Sequence, residues 1–341
     1  MKKRGGNKLK YQVTQALKKI YVTGISKKAI RDRGLQTGIH SHTQMRHALS
    51  VGQNFVKWAR TERGITDLFQ LKRSHYRDYI EHMKSTGVST GHLINIETNL
   101  RLLSKGMDVI SKEKNMKPRD WVPKTRLIHS SEREKPVDRS HSHEELEKIR
   151  ERLSPNAKIA ADVQCAFGLR LREIAKSRVA HIQEKNGNLY WVAVKEKEAL
   201  NTAHGVTKAG RPREVPCHPE YEARVREIIA GKKAADYISP IKYNSLKSEY
   251  SRKQVDGSHS FRHTYAREML RQELEARGIE KEGREILRRM LESRAAGYRR
   301  DYGIKKDERT IYEKVIEAMD KVHENLGHGS GRIDLAEVYL S

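Results

Sequence analysis

Leu93, Ile96, Leu100, Leu103, Met107 and Ile110 recur at intervals of three and four residues. That spacing keeps one face of an α-helix apolar over about five turns, and a strand, with its period of two, could not gather these residues on one side. Ala48, Val51, Phe55 and Trp58 repeat the rhythm upstream. Gly64, Gly87 and Gly91, with Ser89 and Thr90 at a helix start, divide residues 41–113 into three or four helices. A small helical domain is expected here, with the stripes as its core. The interior must be lean, because 36% of the 341 residues are hydrophobic and 33% are charged. With only 4 Phe and 3 Trp, it has to be built mainly from Leu, Ile, Val, Ala and Tyr.

Residues 1–33 hold 11 Lys or Arg against one acid, Asp32, with weak helical spacing. Residues 1–40 therefore read as a basic N-terminal arm, either a contact for DNA phosphates or a solvated tail. Residues 114–143 lose the apolar rhythm and contain Pro118, Pro123 and Pro136, as an extended linker would. A second domain, 144–341, opens with a helix at Leu146, Ile149 and Leu153, and Pro155 restarts one. Ala157 to Ile174 reads as a buried helix ending near Arg170. Leu189–Val194 and Arg213–Cys217 are short β-rich runs with Gly205 and Gly210 between them, which predicts a small antiparallel hairpin. From 219 onward the pattern is helical. The expected fold class is mainly α with a small antiparallel β-hairpin or sheet, in two domains.

Lys plus Arg outnumber Asp plus Glu by 69 to 44, a formal charge of +25 at pH 7. Such self-repulsion calls for an anionic partner, and nucleic acid is the first expectation. No apolar run approaches the roughly 20 residues of a membrane span. The basic start Met1–Lys10 is not followed by a signal-peptide core, so a soluble cytoplasmic protein, bacterial or nucleoid-associated, with no membrane partner is expected. Cys165 and Cys217 are too few for a disulfide framework or a multi-Cys zinc site. Both read as small core residues, with a single buried bridge left open.

The second domain carries a spaced series of polar phrases. Gly168-Leu169-Arg170-Leu171-Arg172-Glu173 falls at a helix end, and Lys208-Ala209-Gly210-Arg211-Pro212-Arg213-Glu214-Val215-Pro216 falls in the hairpin. His259-Ser260-Phe261-Arg262-His263 stands at a helix start, followed by Leu326-Gly327-His328 and Tyr339 near the end. Taken singly, each Arg or Lys is a solvated cation, each His a surface or capping residue, and Tyr339 an anchor for the last helix. In this order they resemble the tyrosine recombinase family of phage integrases and Xer-type resolvases, over about residues 41–341. The resemblance implies a helical core-binding (SAM-like) domain at 41–113 and an α+β catalytic domain at 144–341, closing as a C-shaped clamp on duplex DNA. It implies Arg170, Lys208, His259, Arg262, His328 and Tyr339 as catalytic residues, with Glu173 supporting the pocket. No cofactor and no metal is called for.

The chemistry suits those residue types. A tyrosine hydroxyl can hold a cleaved strand as a 3′-phosphotyrosyl ester, retaining the bond energy for a DNA 5′-hydroxyl to reclaim. A phenol has a pKa near 10, so it needs a proton acceptor or a cationic surrounding. Negative charge on the non-bridging oxygens of the transition state suits two fork-shaped guanidiniums that stay ionised, and Arg170 and Arg262 are the matching pair. Arg172 is the rival to Arg170, and the Gly-Leu-Arg phrase favours Arg170. Lys208 would protonate the leaving 5′-oxygen; Lys195 and Lys197 are rivals without the Gly and the Arg-x-Val-Pro return strand behind them. Between His259 and His328 the roles of proton transfer and phosphate hydrogen bonding stay open.

Three features depart from the family pattern. His328 and Tyr339 stand further apart than usual, with Gly329, Ser330 and Gly331 between them. Arg262 and His328 enclose 65 residues, longer than the common spacing, so a helical insertion at about 275–322 is expected. Residues 263–327 hold 15 Lys or Arg and 14 Asp or Glu, which predicts a salt-bridged face or an oligomer contact rather than a DNA surface. Only Leu340 and Ser341 follow Tyr339, so assembly is expected without a C-terminal helix exchanged between protomers. The expected function is site-specific recombination of a mobile element, integration or excision. A homo-tetramer would act on two double-stranded core sites through a Holliday junction, with accessory DNA-bending or directionality proteins. The alternatives are a catalytically silent DNA-binding accessory protein and type IB topoisomerase-like relaxation.

Overall fold

The computed structural model describes all residues except 1–3, 26, 36, 135–138, 256–258, 299–301 and 341. The chain divides into two units, Met1–Lys135 and Pro136–Ser341. In the first, the stripes become α3 (His42–Arg63), α4 (Arg73–Ser85) and α5 (Thr90–Glu113), preceded by α1 (Arg4–Lys19) and α2 (Lys27–Asp32). Local chemistry sets their ends. Ser41 and Ser89 cap α3 and α5 by accepting the backbone N–H of Gln44 and His92, and Gly64, in the left-handed region, closes α3.

The basic segment is not an arm. Leu9, Val13, Ala16 and Leu17 are buried, and α1 packs against α3 and α5. The approach is so close that a Cβ on Gly106 of α5 would overlap the Ala16 carbonyl. The stripe was obscured because lysines fill the other face of the same helix. The expected linker is also shorter: Trp121 and Ile128 are buried in the core of the first unit, Trp121 stacked 5.4 Å from Phe55. Isolated apolar residues between prolines carry no period that sequence could report.

The second unit begins with α6 (His143–Glu151), α7 (Pro155–Phe167) and the short α8 (Leu171–Ile174). The expected continuous helix from Ala157 to Ile174 is broken, because Gly168 adopts φ 57° and turns the chain before Arg170. The antiparallel sheet has order β1-β2-β3, from β1 (Ile182–Lys185), β2 (Asn188–Ala193) and β3 (Arg213–Pro216). The hairpin partners pair as expected, Trp191 opposite Val215, and β1, too polar to read as a strand, adds an edge. Then come α9 (Pro219–Ile229), α10 (Tyr243–Arg252), α11 (Ser260–Ala276), α12 (Glu280–Ala295), α13 (Arg309–Asn325) and α14 (Ile333–Tyr339).

The insertion region is helical, but α13 belongs to the core: Val315, Ala318, Met319 and Val322 are buried and the helix packs on α11. Its balanced charges form ion pairs, among them Arg271–Glu275, Arg284–Glu280 and Arg288 with both Glu285 and Glu292. Arg289 joins α12 to Glu308, and Arg294 joins it to Glu337 on α14. Cys165 and Cys217 are free, buried thiols. Among the described residues no helix is long and apolar enough to cross a membrane.

Candidate active site

Three chain reversals bring the polar phrases together. At the first, Gly168 ends α7; a Cβ there would overlap the Tyr265 ring on α11, so the left-handed turn and the close packing both require glycine. Gln164 donates to the Leu169 carbonyl at 2.9 Å and accepts from the Tyr250 hydroxyl, which pins the turn. Arg170 then stands at the N-terminus of α8. Its backbone N–H donates to Glu173 at 2.7 Å and its guanidinium donates to the same carboxylate at 2.9 Å.

The second reversal ends α13. Gly327 lets the His328 N–H return to the His323 carbonyl at 2.8 Å. The Leu326 carbonyl, one of the acceptors a helix terminus leaves unpaired, faces into the pocket. Arg170, Arg213 and Arg262 all donate to it. Arg262, wholly buried in the first turn of α11, also donates to the Gly168 carbonyl, and its Nη2 lies 3.3 Å from His328 Nε2. Glu173, 1% exposed, is thus ringed by guanidiniums. Burial alone would raise its carboxyl, but Arg213, Arg262 and Arg170 outweigh that and hold it below the usual carboxylate range. Three guanidiniums around one carboxylate leave a surplus of buried positive charge.

Tyr339 closes the pocket from α14. Its ring centre is 5.0 Å from that of His328, 4.6 Å from that of His263, and 5.7 Å from the Arg262 guanidinium carbon. His259 caps the start of α11, where its carbonyl accepts from the Arg262 and His263 N–H groups. Burial, then the nearby Arg262, Arg170 and Arg139, lowers the His259 imidazole to about 4. Burial and the charges of Arg262 and Arg170 depress His328 further still. Both rings are therefore neutral at physiological pH.

The third reversal is the turn carrying Lys208. Thr207 donates to the Arg211 carbonyl at 2.8 Å across it, and Ala209 is forced to φ 63°, a conformation that costs a non-glycine residue of order 1 kcal/mol. Lys208 is exposed and lines an open cleft with Arg170, Arg172, Glu173 and Thr207. Arg172 is exposed at the cleft, whereas Arg170 is engaged inside it. Lys195 and Lys197 are exposed and line neither side of that cleft.

Two residues in the pocket escaped sequence reasoning. Arg213 pairs with Glu173 at 2.8 Å, and its signal was the strand period, which puts it on the face of buried Val215. His263 shares the apolar phase of α11 with Ala266 and Leu270, where a polar residue is out of place unless it serves the pocket.

No protein-family model matches the chain, and no curated protein matches it. Among solved structures it is similar to the site-specific recombinase XerH bound to palindromic difH substrate after cleavage, with TM-score 0.49 and 14% identity over 93% of this chain and 98% of that one. It is similar to a lambda integrase tetramer bound to a Holliday junction, with TM-score 0.48 and 14% identity over 77% and 73%. Tn1549 transposon integrase with circular intermediate DNA gives 0.47 and 13% over 96% and 94%. At such identities the chemistry has to be read from this chain's own side chains.

Proposed function

We propose that the chain is a tyrosine-type site-specific DNA recombinase, cutting and rejoining strands through a 3′-phosphotyrosyl intermediate at Tyr339. The observation that carries this reading is a buried surplus of guanidinium charge against the ring of a tyrosine, with the neutral His328 ring beside it. Buried cations without a full complement of anions are costly, and a phosphodiester would supply the missing charge.

In the proposed step the Tyr339 oxygen attacks phosphorus and the bond from phosphorus to the 5′-oxygen breaks. The phenolic proton passes to a neutral imidazole, and Lys208 protonates the departing 5′-oxygen. Arg170 and Arg262 hold the non-bridging oxygens as their charge grows. Reversal by a 5′-hydroxyl from another strand gives exchange. Repeated by four protomers on two duplex core sites, it passes through a Holliday junction, the route for integrating or excising a mobile element.

The test is a nicked suicide duplex carrying the protein's site, sought first in DNA flanking its gene, run on a denaturing gel. Wild type should give a covalent protein–DNA band and Tyr339→Phe none. Specific binding without an adduct would replace the reading with a DNA-binding protein that does not cut. An adduct with relaxation of supercoils and no exchanged product would favour topoisomerase-like action.

A further inference from the structure

Arg213 lies in the return strand of the hairpin, five residues beyond Lys208, and its guanidinium is buried. One Nη donates to Glu173 at 2.8 Å and the other to the Leu326 carbonyl at 3.2 Å. The two acceptors belong to different reversals, the one that presents Arg170 and the one that presents His328. The guanidinium carbon also sits 5.1 Å from the centre of the Trp191 ring on the neighbouring strand, which fixes its plane. Packing makes the arrangement obligatory on the other side, since a Cβ on Gly327 would come 2.7 Å from an Arg213 nitrogen.

Resting on the proposed function, we propose that Arg213 is a positioning residue for strand cleavage. It shares Glu173 with Arg170 and shares the Leu326 carbonyl with Arg170 and Arg262. Both phosphate-clamping guanidiniums thereby take their orientation from an arginine that belongs to the Lys208 hairpin. Only a planar fork reaches both acceptors at once; a lysine keeps the charge and loses the second bond. Its loss should slow the chemical step far more than it weakens binding, because both of its Nη groups are held by protein acceptors and affinity for a duplex is spread over many phosphate contacts.

The experiment is single-turnover adduct formation at saturating protein for wild type, Arg213→Met and Arg213→Lys, with DNA affinity and thermal melting measured alongside. Arg213→Met should lower the cleavage rate at least about tenfold with affinity within about twofold, and Arg213→Lys should recover part of the rate. Adding Glu173→Gln to Arg213→Met should slow cleavage no further than the slower single change, since both act on Arg170. Cleavage by folded Arg213→Met at the wild-type rate overturns the inference, as does a loss that follows affinity or full additivity with Glu173→Gln. If Arg213→Met does not fold, Arg213→Lys decides: a slower rate at unchanged melting supports positioning, and a wild-type rate rejects it. Absence of an adduct with wild-type protein would instead remove the recombinase reading itself.

Discussion

Glu97 in the first unit and Glu173 in the second are the most deeply buried carboxylates of their units among the described residues, and the two are satisfied in opposite ways. Glu97 on α5 is fully buried and accepts from the Tyr76 hydroxyl at 2.8 Å and from the Leu127 and Ile128 N–H groups. Its partners are mostly neutral, and they tie the segment after α5 back onto the helix. Burial and the bond to Glu97 push the Tyr76 phenol above its usual range, so it stays a donor. Glu173 is met by guanidiniums instead, in excess of its own charge. A buried carboxylate with neutral donors is complete, whereas one outnumbered by cations leaves a place for a further anion. In the proposed reading Glu97 is structural and Glu173 belongs to the site.

The contrast can be broken most sharply at Arg262. Arg262→Lys keeps the charge but loses the fork between the Gly168 and Leu326 carbonyls, and adduct formation should fall about 100-fold or more. An equal fall for a folded Glu97 variant would erase the distinction. Glu97→Ala should cost about 3 kcal/mol in denaturant unfolding by stranding three buried donors. Cleavage by the protein that remains folded should be unchanged.

A similar loss is expected in α1, which lies within the residues 1–40 that read as an arm. Leu17→Ala should destabilise by about 2–3 kcal/mol because it opens a cavity between α1 and its neighbours. A tail would show no change in the same melt.

A smaller effect separates the units by pH. Unfolded His259 takes up a proton near 6.5 and the folded ring only near 4, so between those values the unfolded state binds more protons. Stability from the neutral folded ring is present above about 6.5 and is lost as pH falls toward 4. His259→Gln should flatten that part of the stability curve of the second unit, checked by unfolding at pH 7, 6 and 5. The smallest change is expected on the exposed face of α12. There Arg288→Ala removes two ion pairs in open solvent, and its melting and cleavage should match wild type.

Much of this molecule was written locally. Stripes at three and four residues define α3 and α5, Ser41 and Ser89 start them, Gly64 stops one, and alternating residues around Trp191 and Val215 make the hairpin. These features depend on neighbours within a turn or a strand pair, which the order of residues reports directly. Arg170, Glu173, Arg262, His328 and Tyr339 were legible as a series of phrases, and the folded chain brings them together. Lys208 joins them at the rim of the cleft. The sequence by itself thus determined α3, α5 and the hairpin, and singled out the phrases proposed to carry chemistry. Only tertiary structure decided that α1 is core, that Trp121 and Ile128 belong to the first unit, and that Arg213 and His263 stand in the pocket. The physical reason is that burial and charge pairing arise between residues far apart in the chain, and a lysine-rich helix or a lone arginine reads the same until its partner is in place.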